Sequence, residues 1–311
     1  MRVSRKITSR ETGSVADERQ KYRTGMVSAF CCMTIWGVMP IYWDALAPIS
    51  PFVVVLYRIV LSGIASFVLA LKTYGIKGIA APLKQKKTAL KMFVAGLLVA
   101  LNWSINVYAV HSGQVIETSI GFYMDPLLIC VFGIVFFKER PAKYKAIAIA
   151  AACLGVLVIL VNHARLPLIA LSIALTFSTY AAIKKHLRLP AAVSLFCESL
   201  FLIPPATISI IYFELNGNGA FSTGQPHQLV LLFLIGIITA TPLFLFAIAA
   251  NRISLVSLGI IEYIGPSLIL LLGIFLFKEP FDMVWCGAFA AIWVGLVIFT
   301  FGEIKNYGKA C

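Results

Sequence analysis

Five ionisable side chains stand inside long apolar stretches of the chain: Arg58, Glu117, Asp125, Glu198 and Glu262. A charged group at the centre of a hydrocarbon slab costs about 2.5–3.5 kcal/mol on insertion scales, so it usually faces a cavity or a partner. Such groups can hold a charged substrate, form a gate or carry a proton. Asp125 directly precedes Pro126, and proline removes a backbone donor and kinks its helix. An acid beside a kink can bind substrate, carry a proton, or complete the broken helix with a hydrogen bond. Glu262 stands near Pro266, and Glu117 lies near the outer end of its stretch, where it can also reach water. Asp125, Glu262 and Glu117 are the proton-coupling candidates; Pro126 and Pro266 are the expected helix kinks.

Arg58 and Glu198 have opposite sign and are 140 residues apart. They read either as substrate or gate contacts, or as a structural ion pair with each other or a neighbour. Asn102 and Asn106 are four residues apart and so share a helix face, with Trp103 and Tyr108 close by. Amides and aromatic rings together suit a polar organic ligand, while amides alone also serve as bonds between membrane helices. Tyr123 and Tyr263 are weaker candidates, because aromatic residues also fill cores and mark interfaces.

Other chemistries lack their signatures. The seven cysteines include no CxxC pair, and the four histidines form no HExxH-type spacing. There is no P-loop and no GxGxxG opening a helix, so neither a cofactor nor an intrinsic ATPase is expected. An enzyme acting on a lipid would need convergent acids or metal ligands, and the acids here are scattered over different stretches. Any transport would have to draw its energy from an ion gradient, a substrate gradient or exchange.

The elements that must position these residues follow from composition. Of 311 residues, 60% are hydrophobic and 13% charged, against roughly 25% charged in an ordinary soluble domain. So little polar cover points to a bilayer as the principal solvent. Ten apolar runs are each near the ~20 residues that cross hydrocarbon. They cover 24–46, 51–73, 88–111, 114–137, 141–161, 166–184, 190–213, 227–250, 253–277 and 281–302. The net charge of +13 fits cytoplasmic loops better than a nucleic-acid partner. With the N-terminus inside, the inner segments carry 23 of the 26 Lys and Arg, whereas the outer ones carry only Arg165 and Lys278. Both termini are therefore expected in the cytoplasm, as a mobile tail over 1–23 and a short one over 303–311.

The chain also repeats itself. Gly133 to Glu139 (GIVFFKE) matches Gly273 to Glu279 (GIFLFKE), and the same offset of 140 pairs Tyr123 with Tyr263 and Pro126 with Pro266. The offset spans five segments, an odd number, so the copies over 24–161 and 166–302 are expected to be inverted in the membrane. Inverted repeats with a site between them are a signature of alternating access.

The stretch from Asn102 to Val110, Gly113 with Glu117 to Gly121, Pro126-Leu127, Glu139-Arg140, Leu166-Pro167, Glu198, Pro242-Leu243, Ala249-Ala250 and Tyr263-Ile264 carry a family resemblance. The chain resembles the EamA family of the drug/metabolite transporter superfamily, in its RarD-like branch, over roughly residues 20–302. That resemblance implies an all-α integral membrane protein of five-plus-five inverted helices. It also implies a secondary transporter of the bacterial inner membrane, not an enzyme. The expected cargo is a small polar or amphipathic metabolite or drug, exported by alternating access, with uptake or exchange as the alternative. Proton coupling and a homodimer are compatible with it. Asp125 stands where the branch usually carries Asn, and Glu262 where it usually carries Gln.

Overall fold

A computed structural model describes the backbone of residues 2–111, 115–162, 168–276 and 283–309. Within these, the side chains at 2–16, 107, 110–111, 115–119, 159, 162, 283–285, 288–289 and 307–309 are not described. Glu117, Arg165 and Lys278, singled out above, thus lie outside the described side chains.

The described residues form thirteen helices and no strand. In order they are α1 (Arg2–Asp44), α2 (Pro51–Lys84), α3 (Lys86–His111), α4 (Val115–Val135), α5 (Lys143–Asn162), α6 (Leu168–Leu187), α7 (Ala191–Leu200) and α8 (Ile203–Leu215). They continue as α9 (Ala220–Thr223), α10 (Pro226–Arg252), α11 (Leu255–Glu262), α12 (Ile264–Phe275) and α13 (Met283–Lys309). Six described stretches are long and apolar enough to cross a membrane, or seven if the bent pair α7–α8 is one span. An all-helical architecture is what a bilayer demands, because a helix satisfies its own backbone hydrogen bonds.

Local chemistry marks many ends. Pro51 and Pro226 open α2 and α10, where a missing N–H costs nothing. Ser254 caps α11, its hydroxyl accepting from the Ser257 N–H at 3.1 Å. The chain leaves the helical conformation at Gly75 (φ 64°), close to the expected span end at 73. Two features differ from expectation. The tail over 2–23 is helical and continuous with α1. The run 190–213 bends by 56° between α7 and α8, where Pro204 and Pro205 occupy the first turn of α8. The kink expected at Pro266 is present, the run 253–277 breaking at Tyr263 because Pro266 cannot donate to the Glu262 carbonyl four residues back. Pro126, by contrast, sits within an α4 that continues through it.

The bundle is apolar outside and small-residue-rich inside. Phe30, Ile64, Leu154, Leu157, Phe233 and Val297 are exposed, whereas Ala29, Ala95, Ala170, Ala174, Ala249 and Ala250 are buried. That inversion of the soluble pattern lets backbones approach closely in lipid. Gly96 of α3 packs against the Glu198 carbonyl of α7, and Gly236 of α10 against the Leu61 carbonyl of α2; a Cβ at either would collide with backbone. The principal packings are α5 on α13, α4 on α6 and α11, α1 on α10 and α12, α2 on α7 and α10, and α3 on α6 and α7.

Two polar clusters tie one end of the bundle together. Both Glu139 carboxylate oxygens accept at 2.9 Å from the Leu255 and Val256 N–H groups at the start of α11, a favourable place for a negative charge. Lys185 lies 3.8 Å from Glu139 and donates to the Ile253 carbonyl. Close by, Glu303 of α13 accepts from Tyr22 at 2.6 Å, Tyr144 at 2.8 Å and Lys145 at 2.8 Å, and Lys145 also donates to Ser257 at 2.9 Å.

Candidate functional site

The polar interior divides into three groups. In the first, α2 brings Arg58 against two indole rings, with its guanidinium carbon 4.6 Å from the Trp43 ring centre and 4.1 Å from that of Trp103. Both distances allow cation–π attraction. The Arg58 Nε donates to Thr239 Oγ1 on α10 at 3.3 Å. No carboxylate lies within ion-pair distance of Arg58 among the described residues. Nearby, the Tyr42 hydroxyl is fixed on the Leu231 carbonyl at 2.5 Å.

In the second group, Glu198 of α7 is not paired with Arg58. Its Oε1 lies 2.6 Å from Lys184 Nζ, and both side chains are almost wholly buried. Ser194 donates to the same oxygen at 2.6 Å, Lys184 also reaches Ser194 at 2.8 Å, and the Tyr180 hydroxyl is 3.4 Å from Oε2. A buried pair holds only when its remaining donors and acceptors are satisfied in this manner. Lys184, counted in sequence among the loop cations, thus turns inward. Tyr180 also joins Trp36, Phe177 and Phe246 in a box of rings 5.3–6.0 Å apart. A small cavity of about 20 Å³ is lined by Trp103, Ser62, Tyr180, Glu198 and Leu243 among others. Trp103 therefore belongs to both the cavity wall and the Arg58 contact.

The third group lies where α4 meets α11. Asp125 and Glu262 are buried and close enough to interact electrostatically. Asp125 Oδ1 and Glu262 Oε2 have no hydrogen-bond partner among the described residues. Two carboxylates in one dry site repel, so a proton or cation bound by one relieves the other. Beside them, the Tyr123 hydroxyl donates to the Pro266 carbonyl at 3.1 Å, and the Tyr263 hydroxyl to the Tyr123 carbonyl at 3.2 Å.

The remaining candidates fall elsewhere. Asn102 is buried and donates to the Ile173 carbonyl at 2.9 Å and to Thr176 Oγ1 at 3.1 Å, joining α3 to α6. Asn106 is partly buried, and its side chain makes no hydrogen bond among the described residues. Tyr108 is 62% exposed on the bundle exterior, so it does not join Trp103 at the cavity. Trp43 and Thr239 complete the first group and Lys184 the second, and none was singled out in the sequence.

The family model described as the EamA-like transporter family matches residues 23–161. The chain is similar to the uncharacterized transporter YojE of Bacillus subtilis, with 33% identity over 291 residues, covering 91% of this chain and 95% of that protein. It is also 30% identical over 289 residues to protein RarD of Escherichia coli K12, covering 92% and 97% of the two. A solved crystal structure with 17% sequence identity shares the fold at a TM-score of 0.68, over 89% of this chain and 97% of that one.

Proposed function

The chain belongs to the EamA-like transporter family, in its RarD-like branch, and from that premise we propose that it is a secondary active exporter of small polar or amphipathic metabolites or drugs, working by alternating access. It is a multi-pass protein of the bacterial inner membrane and a transporter rather than an enzyme. The proposal adds the mechanism: two inverted five-helix repeats over 24–161 and 166–302, both termini cytoplasmic, rocking about a site between them.

The observation that carries this reading is how the helices pair. Under the offset of 140 residues, α1 corresponds to α6, α2 to α7–α8, α3 to α10, α4 to α11–α12 and α5 to α13. The packing of α1 on α10 then exchanges with that of α6 on α3, α4 on α6 with α12 on α1, and α2 on α10 with α7 on α3. A two-fold-related contact scheme gives two conformations of similar energy, one open to each side, which alternating access needs. Arg58, Trp103 and the Glu198 cavity are assigned to substrate, with Asn106 a further contact. Asp125 and Glu262 are assigned to proton coupling, as the pair of acids with unsatisfied oxygens at the junction of the halves.

The test compares metabolites in the medium of cells expressing the wild type with those expressing Arg58→Ala at equal membrane abundance. A compound enriched outside only with the wild type supports export through the Arg58 site. Depletion from the medium would reverse the direction, and purified protein that binds ligands but never moves them in proteoliposomes would overturn transport.

A further inference from the structure

Arg58 is bound by the protein on one side only. Its Nε uses Thr239, while Nη1 and Nη2, carrying four N–H donors, have no acceptor among the described residues. The indole rings of Trp43 and Trp103 approach the cation, but aromatic rings stabilise a cation without satisfying its N–H groups. No acid among the described residues forms an ion pair with it. Glu198 is held by Lys184 and Ser194. Glu214 accepts from Tyr57 at 3.0 Å and from the Ala220 N–H at 2.7 Å. Asp44, next to Trp43 in sequence, is exposed, and Asp125 and Glu262 lie at the α4–α11 junction.

We infer that the free edge of Arg58 is the docking point for the carboxylate of an organic monoanion, whose apolar body lies along the indole of Trp103. This rests on the transporter reading above and names its substrate class. The guanidinium fork matches a carboxylate with two parallel N–H···O bonds. One anion charge balances the Arg58 cation, which has no ion-pair partner among the described residues. A dianion such as a phosphate ester would carry a second charge into a site whose other cation, Lys184, is already neutralised by Glu198; in a low-dielectric interior that residual charge is strongly disfavoured. An organic cation would meet Arg58 with like sign, and a neutral ligand would leave the donors poorly matched.

The test uses purified full-length protein in lipid nanodiscs and calorimetric titration with four probes of one shape class: hippurate, hippuramide, phenyl phosphate and phenethylammonium. Hippurate is expected to bind at least about tenfold more tightly than hippuramide, and more tightly than phenyl phosphate, with phenethylammonium weakest. Arg58→Gln should abolish the preference for hippurate over hippuramide. Arg58→Lys, which keeps the charge and loses the fork, should retain a weaker preference, and so separates loss of the site from loss of folding. The inference is overturned if wild type binds none of the probes, if hippuramide or phenethylammonium matches hippurate, or if Arg58→Gln keeps the preference. Counterflow in proteoliposomes separates the two readings. Hippurate bound selectively but not moved leaves the anion site standing and removes transport, whereas equal movement of hippurate and hippuramide leaves transport standing and removes the anion site.

Discussion

The Tyr123 hydroxyl donates to the Pro266 carbonyl at 3.1 Å, and the Tyr263 hydroxyl donates back to the Tyr123 carbonyl at 3.2 Å. The two tyrosines are 140 residues apart and lie side by side at the contact of α4 with α11. Each hydroxyl thus stitches one half of the chain to the backbone of the other. Tyr123→Phe and Tyr263→Phe should each lower unfolding stability in detergent by about 1 kcal/mol, the usual net worth of one such bond. The two residues touch, since the Tyr263 hydroxyl bonds to Tyr123 itself, so the double variant should depart from the sum of the single losses by about 0.5 kcal/mol or more. Denaturant unfolding of the two single variants and the double variant checks both statements; unchanged stability in either single variant would mean its hydroxyl is not bonded there.

Asp125 and Glu262 make the clearest prediction about coupling. With both acids buried and an oxygen of each unsatisfied, Asp125→Asn keeps the shape and removes one ionisable group. The variant should fold, while its substrate exchange responds differently to pH from the wild type. Counterflow of a transported probe across a series of external pH values is the measurement. Identical pH profiles for the variant and the wild type would remove Asp125 as a proton carrier and leave Glu262 to be tested in the same way.

Lys184 and Glu198 form a closed unit, and the cost of opening it depends on which part is removed. Lys184→Met leaves an uncompensated buried carboxylate and should destabilise by about 3–5 kcal/mol. Adding Glu198→Leu removes the stranded charge as well, so the double variant should recover most of that loss. Thermal aggregation followed by size-exclusion chromatography reports the order of stability. A double variant weaker than Lys184→Met would show that the pair acts through something other than mutual compensation.

How far these groups were legible in the sequence depends on whether a signal was local. The ends of α2 and α10 were readable because proline opens both helices. The 140-residue offset marked Tyr123 and Tyr263 as equivalent positions without showing that they touch, and the place of Asp125 beside Pro126 was read directly from the sequence. The bend between α7 and α8 also had a local signal, Pro204-Pro205, which the continuous apolar run 190–213 concealed. Lys184 and Glu198 could not be matched from their own surroundings: one reads as a loop cation, the other as a lone acid, and only the turn between α6 and α7 joins them. Tyr108 was misleading for a geometric reason. It is five residues beyond Trp103, and at about 100° per residue that places it well round the helix, where it meets the exterior. Trp43 and Thr239 gave no pattern of their own; they matter because α1 and α10 converge on Arg58.

Glu303 yields a prediction about stability against pH. Its carboxylate lies just past the last apolar run and accepts from Tyr22, Tyr144 and Lys145. Burial is the largest single influence and disfavours its charge, but the hydrogen bonds from Lys145, Tyr22 and Tyr144, together with the Lys145 charge, outweigh it. The carboxyl is held below its ordinary range. A folded-state value below the unfolded one means that ionised Glu303 stabilises the fold above the unfolded value, and that this stability is lost as pH falls through the folded one. Glu303→Gln should therefore be less stable than wild type at neutral pH, with the gap closing below about pH 4, where the unfolded carboxylate begins to protonate. Thermal unfolding of both proteins over a descending pH series measures the gap directly. A gap that stays constant across the series would show that Glu303 stabilises by shape alone, and the charge on Lys145 would then have to be compensated elsewhere.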